Sequence, residues 1–105
     1  MSRREKLEEL LAADPTDTFL QYSIAMEYRT EGDLPAAEAR FQTLLKASPD
    51  YVPTYFRLGE VYAELDRITD ARDILTTGIE TALRIGDQHA AGEMTEFRAS
   101  LDDAG

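Results

Sequence analysis

The chain has 105 residues, of which 43% are hydrophobic, so it is long and apolar enough for about one domain with one modest core. Its 21 acidic residues outnumber its 11 basic residues, which gives a formal net charge of −10. We therefore expect no nucleic acid partner, because phosphate binding relies on clustered lysine and arginine.

The amino-terminal residues and the cysteine count indicate where the protein works. Residues 1–12 are charged throughout and no long apolar stretch follows them, so we predict neither a secretory signal nor a transmembrane span. The sequence contains no cysteine, which excludes a disulfide framework and thiolate chemistry. Together these features predict a soluble, cytoplasmic protein without a membrane partner.

The acidic excess itself has two explanations. It keeps the surface soluble, or it reflects a salt-rich cytoplasm in which repulsion between carboxylates is screened. A melting temperature that climbs steeply between dilute buffer and molar KCl would indicate the second explanation, and a flat response would remove it.

Six helices are predicted, because leucine, alanine, glutamate and arginine are common and runs of β-branched residues are absent. In chain order their ranges are about 3–13, 17–31, 34–47, 51–65, 68–85 and 88–102. Gly32 suits a left-handed stop after the second helix, Asp33 can cap the third, and Asp50 can cap the fourth. Gly86 followed by Asp87 makes a stop and then a new cap before the last helix.

The chain matches itself at an offset of 34 residues, in residue kind more than in identity. The matched pairs are Ile24 with Leu58, Ala25 with Gly59, Tyr28 with Tyr62, Leu34 with Ile68, Ala37 with Ala71, Phe41 with Leu75, and Leu45 with Ile79. Pro15 also precedes Pro49 by the same interval. Residues 3–13 match the second helix of a unit, so they form the end of an incomplete leading unit.

Each full unit is predicted to be an antiparallel helical hairpin whose helices approach closely. Glycine inside a helix costs about 1 kcal/mol relative to alanine, so Gly59 requires an offsetting gain. Two helix axes approach most closely where the crossing residues are small, and Ala25 has the same role one unit earlier. On the partner helices, Ala37 and Ala71 are the small residues that receive aromatic rings.

The last predicted helix closes the stack. Its apolar stripe consists of Ala90, Met94, Phe97 and Leu101. Gly92, Glu93 and Glu96 stand where the preceding unit has Leu58, Gly59 and Tyr62. We therefore interpret it as a capping helix that lacks the packing pattern of the repeats.

These residues resemble the tetratricopeptide repeat (TPR) pattern W-x2-L-G-x2-Y, then A-x3-F, then P. The second unit carries the resemblance through Tyr55, Leu58, Gly59, Tyr62, Ala71 and Leu75, and the first through Ile24, Ala25, Tyr28, Ala37, Phe41 and Pro49. Gln21 replaces the bulky residue that Tyr55 supplies, and Leu83 replaces the closing proline. The last helix pair is therefore expected to run longer before it turns.

The resemblance implies an all-α fold, an α-solenoid of antiparallel helix pairs. It would contain a leading helix at 3–13, two full repeats at 17–49 and 51–85, and a capping helix at 88–102. In such a solenoid the first helices line a concave groove that binds an extended peptide or a partner's helix. The groove residues would be Phe19, Tyr22, Met26, Arg29, Phe56, Arg57, Glu60 and Ala63, flanked by Thr30, Pro53 and Glu64.

Two interpretations of the groove aromatics stay open. These aromatic side chains lie off the predicted packing face of the hairpin. They either form the part of the groove that contacts a partner, or pack against the neighbouring unit or the leading helix. Some relatives grip a chaperone's carboxylate tail, and the matching positions here are Tyr22, Met26, Arg57, Asp87 and Ala91. Only Arg57 could bind a carboxylate, so this kind of docking is not expected. An arginine on a helix surface is more often solvated or paired with a nearby acid.

The sequence predicts a non-catalytic adaptor that binds a protein or peptide, without cofactor or metal. His89 and Glu93 form an i, i+4 pair, but two ligands are too few for a metal site. One alternative is self-association as a homodimer, because so short a stack leaves apolar faces uncovered at its ends. A further alternative, from another class, is an accessory or catalytic domain of an enzyme that uses His89 and nearby acids.

Overall fold

The computed structural model describes the backbone of residues 1–104 and the side chains of residues 1–102. This part of the chain forms six helices and no strand: α1 Arg3–Ala13, α2 Thr18–Thr30, α3 Leu34–Ala47, α4 Pro53–Glu64, α5 Ile68–Ile85 and α6 Gln88–Ala104. The predicted all-α fold is confirmed, and the predicted bounds of the first, third and fifth helices agree at both ends. None of the six combines the length and apolarity that crossing a bilayer requires.

Local chemistry explains most of the helix boundaries. The carboxylates of Asp17, Asp33 and Asp87 each accept a hydrogen bond from the amide three residues on, at 2.9, 3.2 and 3.1 Å. Gly32 and Gly86 have φ values of 83° and 89°, a left-handed conformation that glycine adopts without a steric cost. The glycine stops predicted after the second and fifth helices, and the aspartate caps predicted for the third and sixth, are therefore present.

The predicted cap at Asp50 is wrong. The fourth helix begins at Pro53, and the residue before it, Val52, makes no side-chain capping bond. Tyr51 belongs instead to a hydrogen-bonded turn that joins α3 to α4. Proline favours the first helical position because its φ is already suitable and its missing amide hydrogen is not needed there. Asp50 is exposed and its carboxylate contacts Arg84 of α5.

Helices that are neighbours in sequence pack against each other, and α2, α4 and α6 also lie side by side. The result is a two-layered stack with α2, α4 and α6 as the inner layer and α1, α3 and α5 outside, measuring 41 × 29 × 19 Å. The core between the layers contains large side chains with less than 2% exposure, chiefly Ile24, Phe41, Leu44, Leu58, Val61, Leu75 and Met94. The predicted stripe of the last helix faces this core.

Gly59 lies at a close helix contact, as its position in the repeat predicts. A Cβ atom at Gly59 would lie 2.9 Å from Cγ and Cδ2 of Leu75 on α5. The neighbour is thus the side chain of Leu75, a residue of the repeat motif on the facing helix. Burying this leucine offsets the helix-propensity cost of the glycine.

Gly78 marks a second close contact, which sequence analysis missed. A Cβ atom there would lie 2.5 Å from Cβ of Tyr55 on α4 and 2.7 Å from Sδ of Met94 on α6. The missing side chain therefore lets α4 and α6 both approach α5 at one point. Gly78 lies inside a helix, as Gly59 does, and so it also requires an offsetting gain. The close contact at Gly78 could therefore have been predicted in the same way.

We predict that Gly78→Ala lowers the free energy of unfolding by about 1–3 kcal/mol, although alanine is the better helix former, because the added methyl group overpacks this contact. Gly92→Ala is the matched control. Gly92 is exposed on α6, and a methyl group added to it would meet no atom within 4 Å, so alanine there should raise stability by about 0.5–1 kcal/mol. Urea denaturation measures both changes, and equal stabilisation by the two would contradict the packing role of Gly78.

Thr54 is the other unusual core position. Its side chain is fully buried, and its hydroxyl has no hydrogen-bond partner among the described residues. A buried hydroxyl without a partner loses its hydration without compensation. Thr81 offers the contrast, since its hydroxyl donates to the backbone carbonyl of Thr77 at 2.9 Å.

We predict that Thr54→Val raises the free energy of unfolding by about 1 kcal/mol, because valine has nearly the same shape and removes the unpaired hydroxyl. Thr81→Val makes the same chemical change where a hydrogen bond exists, so it should give a smaller gain or a loss. Thermal and urea unfolding of both variants provide the comparison. A destabilised Thr54→Val beside an unchanged Thr81→Val would show that the Thr54 hydroxyl is satisfied in solution.

Candidate binding groove

The inner layer of helices carries two depressions in a shallow groove. The first lies beside the first turns of α4 and α6 and has a volume of about 220 Å³. We call it the amino-terminal pocket after the amino-terminal ends of these two helices. It is lined by Tyr22, Val52, Pro53, Phe56, Arg57, Asp87, Ala90, Glu93 and Met94. The second, here the carboxy-terminal pocket, has a volume of about 290 Å³ and is lined by Arg29, Glu60, Ala63, Glu64 and Phe97.

Two aromatic side chains of the predicted groove are held by packing. The ring of Tyr22 meets Phe41 and Tyr51 edge to face, with centroids 6.1 and 5.7 Å apart. The ring of Phe56 stacks on Phe97 of α6 at 5.7 Å, with 12° between the ring planes. Of the two interpretations left open by the sequence, packing against a neighbouring unit therefore applies to both rings, and both also line the amino-terminal pocket.

The remaining apolar groove candidates differ in exposure. Phe19 is 65% exposed and lines neither pocket. Met26 and Ala63 are half-buried against the core, and Ala63 also lines the carboxy-terminal pocket. Of these three side chains, only that of Phe19 is freely exposed.

The two groove arginines are engaged in ion pairs within the chain. Arg29 donates from Nη1 to Glu60 at 2.8 Å and from Nε to Glu64 at 2.9 Å, which joins α2 to α4. Arg57 donates from Nη1 to Glu60 at 2.8 Å and from Nε to the hydroxyl of Tyr22 at 3.1 Å. Glu60 thus serves both arginines.

The hydrogen bond to Glu60, followed by the one to Tyr22, raises the pKa of Arg57 above its ordinary value. Arg57 is therefore a fixed positive charge that already has an internal anion. A carboxylate ligand would have to compete with Glu60 for it. Both arginines are thus paired with nearby acids, as the sequence analysis noted is common for an arginine on a helix surface.

Four residues of α6 and the turn before it line the amino-terminal pocket, and the sequence analysis placed only Asp87 among them at a ligand-binding position, one that matches the carboxylate-gripping site of some relatives. They are Asp87, Ala90, Glu93 and Met94. The repeat contained the signal, because Asp87 and Ala90 lie 34 residues after Pro53 and Phe56, and Phe97 lies 34 after Ala63. The contribution of α6 to the pocket was missed because the packing positions of α6 depart from the motif. Its groove-facing positions still follow the 34-residue repeat.

An all-helical stack of paired helices with a groove along its inner layer defines the class of helical repeat proteins. A tetratricopeptide repeat sequence profile matches residues 28–85. A TPR repeat-containing protein of Pseudomonas aeruginosa is 30% identical over 100 residues, which span 95% of each chain. The chain belongs to the tetratricopeptide repeat family.

Further similarities concern one enzyme and two solved structures. The chain is 31% identical over 80 residues to a tyrosine–tRNA ligase of Deinococcus radiodurans, a match to 73% of this chain but only 20% of the ligase. It superposes with a TM-score of 0.83 on a tetratricopeptide repeat domain protein of Salinibacter ruber, at 35% identity over 87% of this chain and 92% of that one. The TPR2B domain of yeast Sti1, solved as a complex with pHsp70, gives a TM-score of 0.89 at 15% identity over 97% and 82% of the two chains. That last likeness concerns the fold alone.

Proposed function

We propose that this chain is a non-catalytic protein-interaction module that binds a peptide or a partner's helix in the groove formed by α2, α4 and α6. The observation that carries the proposal is the amino-terminal pocket, whose lining combines apolar and aromatic side chains with three charged residues, Arg57, Asp87 and Glu93. Interface anchors are typically apolar or aromatic side chains that enter such pockets, while charges at the edge give orientation. A volume of about 220 Å³ has room for one large side chain.

The packing of the pocket walls supports binding without a large rearrangement. Tyr22 is fixed by two aromatic neighbours and by the hydrogen bond from Arg57, and Phe56 is fixed by its stack on Phe97. Walls that are already ordered reduce the conformational entropy lost on association. The groove is therefore preorganised for a ligand.

The family gives the proposal its class of partner, because TPR domains are generally protein-interaction modules, and the Sti1 domain is in complex with pHsp70. The charges in our groove argue against capture of a carboxylate tail, since both arginines have internal partners. The ligase match does not alter the proposal of a non-catalytic module, because it covers one fifth of that enzyme.

Self-association is the second candidate, and one observation favours it. Leu83 and Ile85 near the end of α5 are 58% and 46% exposed and lie outside the groove. Exposed apolar residues of this kind contribute to contacts between copies of a chain. A molar mass by light scattering that stays monomeric over a range of concentrations would remove this candidate.

The proposal is tested by blocking the groove with a long side chain. We expect Ala90→Arg, in the amino-terminal pocket, to weaken the binding of peptides selected on the wild-type chain from a random phage library by about tenfold or more. The arginine occupies the space that an anchor side chain needs. Ala63→Arg blocks the carboxy-terminal pocket in the same way, and isothermal titration calorimetry gives the affinities.

Ala39→Arg is the matched control, because Ala39 is exposed on the outer helix α3. It should leave peptide affinity unchanged, and helical circular dichroism and the melting temperature establish that all three variants fold. Blocking variants are preferable to alanine at Tyr22 or Phe56, since those rings also cover the core. Undiminished binding by both folded groove variants would place the binding surface elsewhere.

A further inference from the structure

The charges lining the groove differ in how far they are neutralised. Glu60 and Glu64 in the carboxy-terminal pocket are paired with arginines. At the amino-terminal pocket, by contrast, neither Asp87 nor Glu93 lies within 4 Å of a lysine or arginine among residues 1–102. The pocket edge therefore keeps negative charge that the chain itself does not cancel.

Both acids remain available to a ligand. One carboxylate oxygen of Asp87 accepts the bond from the backbone amide of Ala90 that caps α6, and the residue is exposed. Glu93 touches Nε2 of His89 at 3.1 Å, and its side chain is 54% exposed. Each carboxylate thus has an oxygen and open space for a donor from outside the chain.

We propose that the segment bound in the groove is cationic. An apolar side chain enters the amino-terminal pocket, and a lysine or arginine beside it in the partner binds Asp87 and Glu93. The inference rests on the proposed function and adds the chemistry of the partner to it. Charge-assisted hydrogen bonds to carboxylates supply the orientation, and the apolar side chain supplies most of the affinity.

The charge of the whole molecule favours the same partner. At a net charge of −10 the chain attracts cationic segments and repels acidic ones over a distance of about a Debye length. A second copy of the chain carries the same charge, so it is a poor occupant of this groove. The arginine that lines the pocket, Arg57, is held by Glu60 and Tyr22 and offers an anionic segment little.

The test compares peptides that share one apolar residue and differ in their neighbours, which are lysine, glutamate or serine. The wild-type chain should bind the lysine peptides best, with an affinity that falls as KCl is added. Asp87→Asn with Glu93→Gln should weaken the lysine peptides by about threefold to tenfold and leave the serine peptides nearly unchanged. Asparagine is itself a good N-cap, so α6 keeps its start.

The control variant combines Glu9→Gln with Glu80→Gln, two exposed acids on α1 and α5 that lie outside both pockets. It removes the same amount of charge, so it should change the lysine-peptide affinity far less than the groove variant does. An equal loss in both variants would reduce the preference to general charge attraction and overturn the proposal. A groove that binds serine or glutamate peptides as well as lysine peptides would overturn it while leaving the proposed function standing. Failure of every peptide, including those selected from the library, would count against both.

Discussion

The architecture depends on a few helix contacts from which side chains are missing. At Gly78, α5 accepts the Cβ of Tyr55 from α4 and the sulfur of Met94 from α6 at distances that no methyl group would allow. Because both inner helices are drawn to the same point of one outer helix, their separation is fixed there. The amino-terminal pocket lies beside the same two helices, and Met94 belongs both to the Gly78 contact and to the pocket lining. This core contact therefore positions a side chain of the surface pocket.

Ion pairs between successive units fix how the units are aligned, more than they stabilise the fold. Arg29 joins α2 to α4, and Arg67 reaches back from the start of α5 to Glu38 on α3. These pairs are partly exposed, and ion pairs near the surface contribute about 1 kcal/mol or less each. Arg67 also covers the ring of Tyr62 at 4.6 Å, and Arg4 covers the ring of Tyr28, the equivalent residue one repeat earlier, at 4.5 Å. The equivalent tyrosine ring is covered by an arginine in both repeats, although the two arginines do not occupy equivalent positions. The contact between arginine and ring is therefore repeated without a repeated arginine position.

The sequence was sufficient for what depends on local pattern and period. Apolar spacing along a helix, glycine stops such as Gly86 and the 34-residue repeat can all be recognised in the sequence itself. They predicted the helices and the family. The start of α4 was misjudged because Asp50 and Pro53 both mark a helix start, and only the turn at Tyr51 decides between them. The pocket residues on α2 and α4, such as Tyr22 and Phe56, were named from the repeat motif, whereas Ala90 and Met94 on α6 were not. Packing of Phe56 against a neighbouring unit was one of two interpretations left open, and its partner Phe97 was not identified because α6 was assigned to capping alone.

The departure of α6 from the repeat motif gives this helix two tasks at once. Its packing positions no longer carry the motif, and exposed residues such as Gly92 and Glu93 stand where a further unit would need an apolar surface. Towards the groove it keeps the 34-residue period, and there it contributes an apolar side of the pocket through Ala90 and Met94. On α4 the groove acids Glu60 and Glu64 pair with arginines of the same chain, so their charge serves alignment. Asp102 of α6 pairs with Arg72 of α5. Asp87 and Glu93, by contrast, pair with no lysine or arginine among residues 1–102, so this end of the groove keeps negative charge for the proposed partner.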